Sequence, residues 1–244
     1  MRAAATSASQ TLKAVLGIRD LVYSGAVRPG ERVSEITMCD QLDLSRTPVR
    51  AALVRLEQEG ILEAIPSGGY AVRSFSQADI EDAIELRGVI EGTAARLAAE
   101  RGISPARAAA LSALLDDLDG VVGVDPAKLD FQAYVGMNAE FHDMLKQLAG
   151  SEIIAREVDR INTLPFAGPS AFLHVQEAYP RFRASLVVAQ AQHRAIADAI
   201  IGRESARAEA LAREHARLAR VNLEHVLENR ALRARVPGLV LLSG

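Results

Sequence analysis

A strand pattern occurs at one place in this chain, residues 61–73, and helical spacing of apolar residues dominates elsewhere. Two short apolar stretches, Ile61–Ile65 and Tyr70–Arg73, flank Pro66-Ser67-Gly68-Gly69, and this order predicts a β-hairpin. Ala, Leu and Arg are abundant and aromatic residues amount to 4% of the chain, which favours helices outside the hairpin. We therefore predict a mainly α fold and exclude a mostly β protein.

Three predicted helices precede the hairpin. The first covers residues 9–24, the second runs from an N-cap at Ser34 to Leu42, and the third runs from Arg46 to Glu59 with Ser45 as its N-cap. A helix, a helix–turn–helix and a hairpin in this order predict a winged helix–turn–helix domain over residues 1–75. The apolar stripe of the first helix consists of Leu12, Val15, Leu16, Ile18, Leu21 and Val22.

The remainder of the chain is predicted to be an all-helical bundle over residues 76–236, followed by a tail, 237–244, to which we assign no structure. Residues 165–179 look irregular. Serine or proline opens the helices, and glycine ends several of them. The predicted helices cover residues 76–101, 104–122, 126–150, 151 to the residue before Pro165, 180–201 and 205–228.

Charge and cysteine content exclude several classes of protein. The net charge is −3, with +1 on residues 1–75 and −4 on the rest, so the first domain permits local DNA binding and does not by itself establish it. A single cysteine, Cys39, excludes a disulfide framework. No apolar run approaches eighteen residues and the start, MRAAATSASQ, has no apolar stretch, so we expect neither a membrane span nor a secretory signal. We expect a cytoplasmic protein.

The third predicted helix has the pattern of a DNA-reading helix. Its apolar residues share one face, whereas Arg46 and Arg50 lie four residues apart on another face with Thr47 beside them. The second helix of a helix–turn–helix enters the major groove with its N-terminal residues foremost. Arg46 and Arg50 are then placed for guanine or phosphate, and Ser45 and Thr47 for phosphate. The alternative is an ordinary solvated helix face.

Three of the histidines, together with Asn138, form a second candidate functional site. Asn138 and His142 lie four residues apart on one predicted helix, so they face the same way. His193 and His215 are equally far in sequence from the break between the last two long helices, and an antiparallel hairpin there brings them level. Imidazole suits Zn²⁺, Ni²⁺, Cu²⁺ or Fe²⁺. The alternative is three hydrogen-bonded core histidines without a metal.

The stretch LSRTPVRAALVRLEQEGILEAIPSGGYAVRSFS resembles the DNA-binding domain of the GntR family of bacterial transcription regulators. The continuation ADIEDAIELRGVIEGTAARLAAE resembles the start of the FCD effector domain in the FadR-like branch of that family. The resemblance implies a homodimer that binds operator DNA through Arg46, Thr47 and Arg50, with a wing contact at Gly68–Gly69. Many relatives have an arginine in the wing turn, which is absent here, and some have another where Ile36 stands.

The same resemblance implies a metal centre and an effector. Metal-binding members use an Asp-x₃-His pair and two later histidines, which map onto Asn138, His142, His193 and His215, with Asn138 replacing the commoner aspartate. We expect Zn or Ni, and a small carboxylate metabolite as effector. Arg87 is the effector-binding candidate, and a surface salt bridge with Glu91 is its alternative.

A regulator is accordingly the leading function, with two alternatives. One is the same regulator with a purely structural metal and no effector. The other is a helical metallohydrolase, which we disfavour because the sequence has no H-E-x-x-H motif, phosphate-binding glycine loop or nucleophilic serine elbow. We therefore predict that the chain is not an enzyme.

Overall fold

The computed structural model describes residues 2–123, 129–171, 180–229, 236 and 238–243. These residues form two compact units. The first contains the chain up to Ile80, Thr163–Pro165 and the segment after Pro237. The second contains Glu81–Asn162 and the described residues from Phe166 to Val236.

The first unit is a winged helix–turn–helix, as predicted. Its three-stranded sheet is antiparallel in the order β1–β3–β2, and Leu62 and Val33 are register partners of Val72 and Tyr70. Strand β1 has only two residues, and no pattern in the sequence predicts it. The elements are α1 (Arg2–Tyr23), β1 (Arg32–Val33), α2 (Glu35–Leu42), α3 (Arg46–Gln58), β2 (Leu62–Ala64) and β3 (Tyr70–Val72).

Local signals explain the ends of the two central helices. Ser34 caps α2 by accepting a hydrogen bond from the backbone N–H of Thr37 at 3.1 Å, and Asp43 ends the helix in the left-handed region. Ser45 occupies the N-cap position of α3, but its hydroxyl makes no capping hydrogen bond. The predicted hairpin turn is confirmed, with Gly68 and Gly69 both at positive φ.

Helix α1 differs from its prediction in two ways. It begins at Arg2 rather than at residue 9, since the alanine-rich start continues the helix. Its apolar stripe is narrower than predicted, because Val15, Ile18 and Val22 are buried and face α3, whereas Leu12 and Leu16 are about half exposed.

The segment after Pro237 packs onto the first unit. Leu239–Leu241 form a 3₁₀ helix beside α1, and Leu241 is fully buried. The backbone N–H of Phe75 donates to Leu241 O at 2.8 Å, and the N–H of Ser243 donates back to Phe75 O at 2.9 Å. The described residues of this tail therefore extend the core of the winged unit.

Among its described residues, the second unit has helices as its regular secondary structure and no strand, and the predicted fold class is confirmed. Helix α6 begins at Phe131 with Asp130 as its N-cap, whereas the predicted start, Pro126, lies outside the described residues. The predicted irregular segment forms turns over residues 165–171, and its remainder also lies outside them. The helices are α4 (Gln77–Arg101), α5 (Pro105–Val122), α6 (Phe131–Leu148), α7 (Glu152–Asn162), α8 (Pro180–Ile201) and α9 (Ser205–Glu228).

Two features of packing position the polar centre of this unit. Helices α5, α6, α8 and α9 share a hydrophobic core that includes Phe141 and Ile196. Gly88 and Gly92 let α4 approach α9 closely, because a Cβ atom at Gly92 would lie 2.8 Å from Arg213 Cγ. None of the described helices is both long enough and apolar enough to cross a bilayer.

Candidate metal centre and nucleic-acid interface

Three buried imidazoles meet inside the helical unit. His142 comes from α6, His193 from α8 and His215 from α9. The Nε2 atom of His215 lies 3.1 Å from that of His193 and 3.4 Å from that of His142. One ring nitrogen from each histidine lies within 4.8 Å of the others, which is compatible with binding one metal ion.

Each imidazole has an oxygen opposite its other nitrogen. The Nδ1 atoms of His193 and His215 lie 3.1 Å from the amide oxygens of Gln190 and Gln192, and Nδ1 of His142 lies 3.3 Å from Glu91 Oε1. Gln190 is held in this orientation because its amide nitrogen donates to Leu115 O and to an Asp119 carboxylate oxygen. With a proton on each Nδ1, the three Nε2 lone pairs would face one another.

Burial controls the charge of the cluster. Removal from water lowers the pKa of His193 and of His215 well below the ordinary value, and the neighbouring imidazoles lower it further. Both rings are therefore neutral at neutral pH. Facing Nε2 lone pairs repel each other unless a cation or a shared proton lies between them, so the arrangement favours a bound metal ion.

Asn138 lies one helical turn before His142 and is also buried. Its amide oxygen accepts a hydrogen bond from the Tyr134 hydroxyl at 3.4 Å, and its amide nitrogen has no partner among the described residues. A cavity of about 40 Å³ adjoins this amide. The polar residues that line the cavity are Arg87, Tyr134, Asn138, Ser185, His215 and Asn222.

Arg87 lines that cavity but is held by the protein. Its two terminal nitrogens donate to the backbone oxygens of Ala167 at 2.8 Å and Ala216 at 3.0 Å. Its Nε atom lies 3.6 Å from Glu91 Oε2, with both side chains almost fully buried. The alternative of a surface salt bridge is therefore wrong about location, since the pair lies in the interior.

The predicted reading helix exposes its polar face and buries its apolar one. Ser45, Arg46, Thr47 and Arg50 are exposed, whereas Val49 and Leu53 on the other side are buried. Arg50 makes a bidentate ion pair with Glu35 of α2, at 2.8 and 3.0 Å. This pair holds the Arg50 guanidinium in a fixed orientation on the open face.

Strand β1 supplies a cation to the wing that sequence reasoning missed. Arg32 is exposed, and its guanidinium donates to the backbone oxygen of Gly68 at 2.7 Å, beside the exposed Gly69. The wing turn lacks an arginine of its own, but a guanidinium from the neighbouring strand occupies its tip.

The acceptors around the histidines were also missed. Gln190 precedes His193 by three residues on one helix. Side chains at this spacing are neighbours, so the sequence could have predicted their contact. Glu91 and His142 lie on different helices, so no local spacing connects them.

Comparison with known proteins identifies the family. The chain matches the FCD domain over residues 82–218, more than half of its length, and the gntR family of bacterial regulatory proteins over residues 10–72. This chain belongs to the GntR family and carries an FCD domain. It is thus a bacterial DNA-binding transcription regulator of that family.

Curated relatives of this GntR-family chain are regulators too. An uncharacterized HTH-type transcriptional regulator in the TAR-I ttuE-ttuC′ intergenic region of Agrobacterium vitis is 30% identical over 140 residues, covering 57% of this chain and 81% of the relative. The Nta operon transcriptional regulator of Aminobacter aminovorans is 35% identical over 137 residues, covering 55% of this chain and 61% of the relative. The matched families and relatives are transcriptional regulators rather than enzymes.

Solved structures show the same fold. Escherichia coli McbR/YncC has a TM-score of 0.59 at 20% identity, covering 90% of this chain and 97% of that one. Lar of Listeria monocytogenes has a TM-score of 0.61 at 15% identity, covering 88% and 97%. At such identities the likeness concerns the fold of the GntR regulator alone.

Proposed function

We propose that this regulator binds operator DNA as a homodimer and that a small carboxylate metabolite, bound at a divalent metal in the helical domain, controls its operator affinity. In this proposal residues 1–75 bind DNA, and residues 76–236 bind the metal and effector and form the dimer. The cluster of three facing imidazole Nε2 atoms is the observation that carries the proposal.

The donor set fits a divalent transition metal. His142, His193 and His215 would be ligands through Nε2, and the amide oxygen of Asn138 would be the fourth. Zn or Ni is the metal we expect. When bound, the ion would supply positive charge and an open coordination position that attracts a carboxylate. Two of the three imidazoles are already neutral at neutral pH because of burial, so the protein does not have to remove protons from them.

The neighbouring cavity supports a small acidic effector. At about 40 Å³ it has room for ordered water, which a carboxylate group can displace. The wall contains the Asn222 amide, the Tyr134 hydroxyl and the Arg87 guanidinium, all suited to carboxylate oxygens. Both terminal nitrogens of Arg87 already donate hydrogen bonds to backbone oxygens. Arg87 would therefore contribute to effector binding mainly through its positive charge.

The control of operator affinity is thermodynamic linkage. An effector changes DNA binding only if it binds the operator-competent and operator-incompetent states of the dimer with different affinities. A carboxylate at the metal provides such a difference when one state closes the cavity. A coupling of 1–3 kcal/mol, about 5- to 150-fold in operator affinity, is typical of such systems.

The test compares two histidines of the same helix, α9. His215→Ala removes a buried imidazole from the cluster, and His225→Ala removes an exposed one outside it. The full-length protein is loaded with Zn²⁺ or Ni²⁺. Its affinity is measured for a duplex that it selects from a random library, with and without a panel of two- to six-carbon organic acids.

We expect wild type and His225→Ala to bind metal and to change operator affinity with at least one acid. His215→Ala should lose metal affinity and the acid response, while its metal-free operator affinity stays within about twofold of wild type. An undiminished acid response in His215→Ala would remove the metal from the mechanism. Metal binding without any acid response would favour the structural-metal alternative. Sedimentation of the same samples tests the homodimer.

A further inference from the structure

Glu91 is a buried carboxylate that neither the fold nor the DNA interface accounts for. It is 2% exposed, and neither of its oxygens has an aligned hydrogen bond within the described residues. Its two close polar contacts are Nδ1 of His142 at 3.3 Å and Nε of Arg87 at 3.6 Å. A carboxylate taken out of water without full pairing is costly, so its position calls for a role.

Arg87 offsets only part of the free energy that burying the Glu91 carboxylate costs. Its terminal nitrogens are committed to the backbone oxygens of Ala167 and Ala216, and only Nε faces the carboxylate, at a long distance. Arg87 therefore balances the charge of Glu91 without closing a bidentate pair. One carboxylate oxygen is left beside His142.

The three imidazoles differ in what lies behind them. Neutral amide oxygens lie opposite Nδ1 of His193 and His215, and a carboxylate oxygen lies opposite Nδ1 of His142. A carboxylate behind a ligating imidazole fixes its tautomer and raises its basicity more than a neutral amide does. His142 also lies one turn after Asn138, the position where a charged ligand is missing.

We propose that Glu91 is a positioning residue of the metal centre. Its carboxylate accepts a hydrogen bond from the Nδ1–H of His142, so that Nε2 presents its lone pair to the ion, and it supplies from behind the ring the negative charge that Asn138 does not. This inference rests on the proposed metal site. The competing explanation is that Glu91 serves only as the counter-ion of Arg87.

The experiment measures metal affinity of the full-length protein, with Zn²⁺ in competition with a chromophoric chelator and with Co²⁺ followed by its visible absorption. Glu91→Gln keeps the shape of the side chain and removes its charge. Glu85→Gln is the matched control, since Glu85 is on the same helix and pairs with Arg213 and Arg217 but is only partly buried. Asn138→Asp is combined with Glu91→Gln to return a carboxylate to the centre.

We expect Glu91→Gln to weaken Zn²⁺ binding by about 10- to 100-fold and to alter the Co²⁺ spectrum, as loss of a carboxylate that hydrogen-bonds to a ligating histidine does. Glu85→Gln should bind like wild type, and Asn138→Asp should recover most of the affinity lost in Glu91→Gln. Nitrogen NMR of the metal-free wild type gives a second measurement that needs no Glu91 variant. It should find His142 protonated on Nδ1.

Two results would overturn the inference and leave the metal site standing. One is unchanged Zn²⁺ affinity in a folded Glu91→Gln protein, which would make Glu91 the counter-ion of Arg87 alone. The other is His142 protonated on Nε2 in the metal-free wild type. A wild type that binds no metal, indistinguishable from His215→Ala, would remove both the inference and the metal in the proposed function.

Discussion

At the scale of single residues, Arg32 changes the expectation for the wing. The turn Ser67-Gly68-Gly69 has no arginine, and the sequence alone therefore predicts few groove contacts there. The structure instead places the Arg32 guanidinium on the backbone oxygen of Gly68. A cation at the wing tip is suited to a phosphate or to the negative potential of a narrow minor groove.

We predict that Arg32→Gln weakens operator binding through the loss of charge, since glutamine retains a hydrogen-bond donor for Gly68. Loss of one phosphate contact should reduce the magnitude of the slope of log K, where K is the operator-binding constant, against log salt concentration by about one. Fluorescence anisotropy with the selected duplex, across a salt series, measures the slope. Arg107→Gln, an exposed arginine of the helical unit, is the control. An unchanged salt slope in a folded Arg32→Gln protein would show that Arg32 only braces the turn.

Arg50 illustrates a different residue effect, because its partner is an acid on the neighbouring helix. The bidentate pair with Glu35 orients the guanidinium but competes with DNA for its donors. We predict that Arg50→Ala lowers affinity for the selected duplex by about 1–3 kcal/mol. Glu35→Gln should change sequence preference more than overall affinity, measured by repeating the selection with each variant. Identical selected sites would contradict this role of Glu35.

At the scale of elements, the contact between α4 and α9 depends on two glycines. A Cβ atom at Gly92 would lie 2.8 Å from Arg213 Cγ and 3.0 Å from the backbone oxygen of Glu209. Alanine normally stabilises a helix by about 1 kcal/mol over glycine. At this position the backbone contact cannot give way cheaply, so packing outweighs propensity.

We predict that Gly92→Ala lowers the Tm of the protein, whereas Gly136→Ala raises it slightly. Gly136 is the matched control, because it lies inside α6 and a Cβ atom there meets nothing within 4 Å. Thermal unfolding followed by circular dichroism measures both. Equal stabilisation by the two substitutions would show that α4 can move away from α9 without cost.

Sequence reasoning succeeded for elements with strong periodicity and failed where tertiary contacts decide. The helices that Ser34 and Ser104 cap were predicted within a residue or two, because cap and apolar period agree. Strand β1 has two residues, too few for any alternation, and exists through its pairing with β3. The convergence of His193 and His215 followed from helix length and the break between them, whereas the contact of Glu91 with His142 depends on how α4 packs.

At the scale of the whole molecule, a bound metal should stabilise the folded helical unit by linking three of its helices. Its ligands come from α6, α8 and α9, which local unfolding would separate. A metal that binds only the folded state stabilises it by about 2.7 kcal/mol at a free concentration one hundred times Kd. We predict that chelation lowers the Tm of wild type by several degrees and leaves that of His215→Ala unchanged. Calorimetry with and without a chelator decides, and equal shifts in both proteins would contradict the assignment of the ligands.

The docked tail has a consequence for the order in which this protein is built. Residues 238–243 belong to the winged unit. Their backbone hydrogen bonds with Phe75 join segments more than 160 residues apart in the sequence. The ribosome makes the whole helical unit between them. The DNA-binding head therefore lacks its final piece until that unit has been translated, and a nascent chain arrested before residue 238 would carry a head with part of its core uncovered.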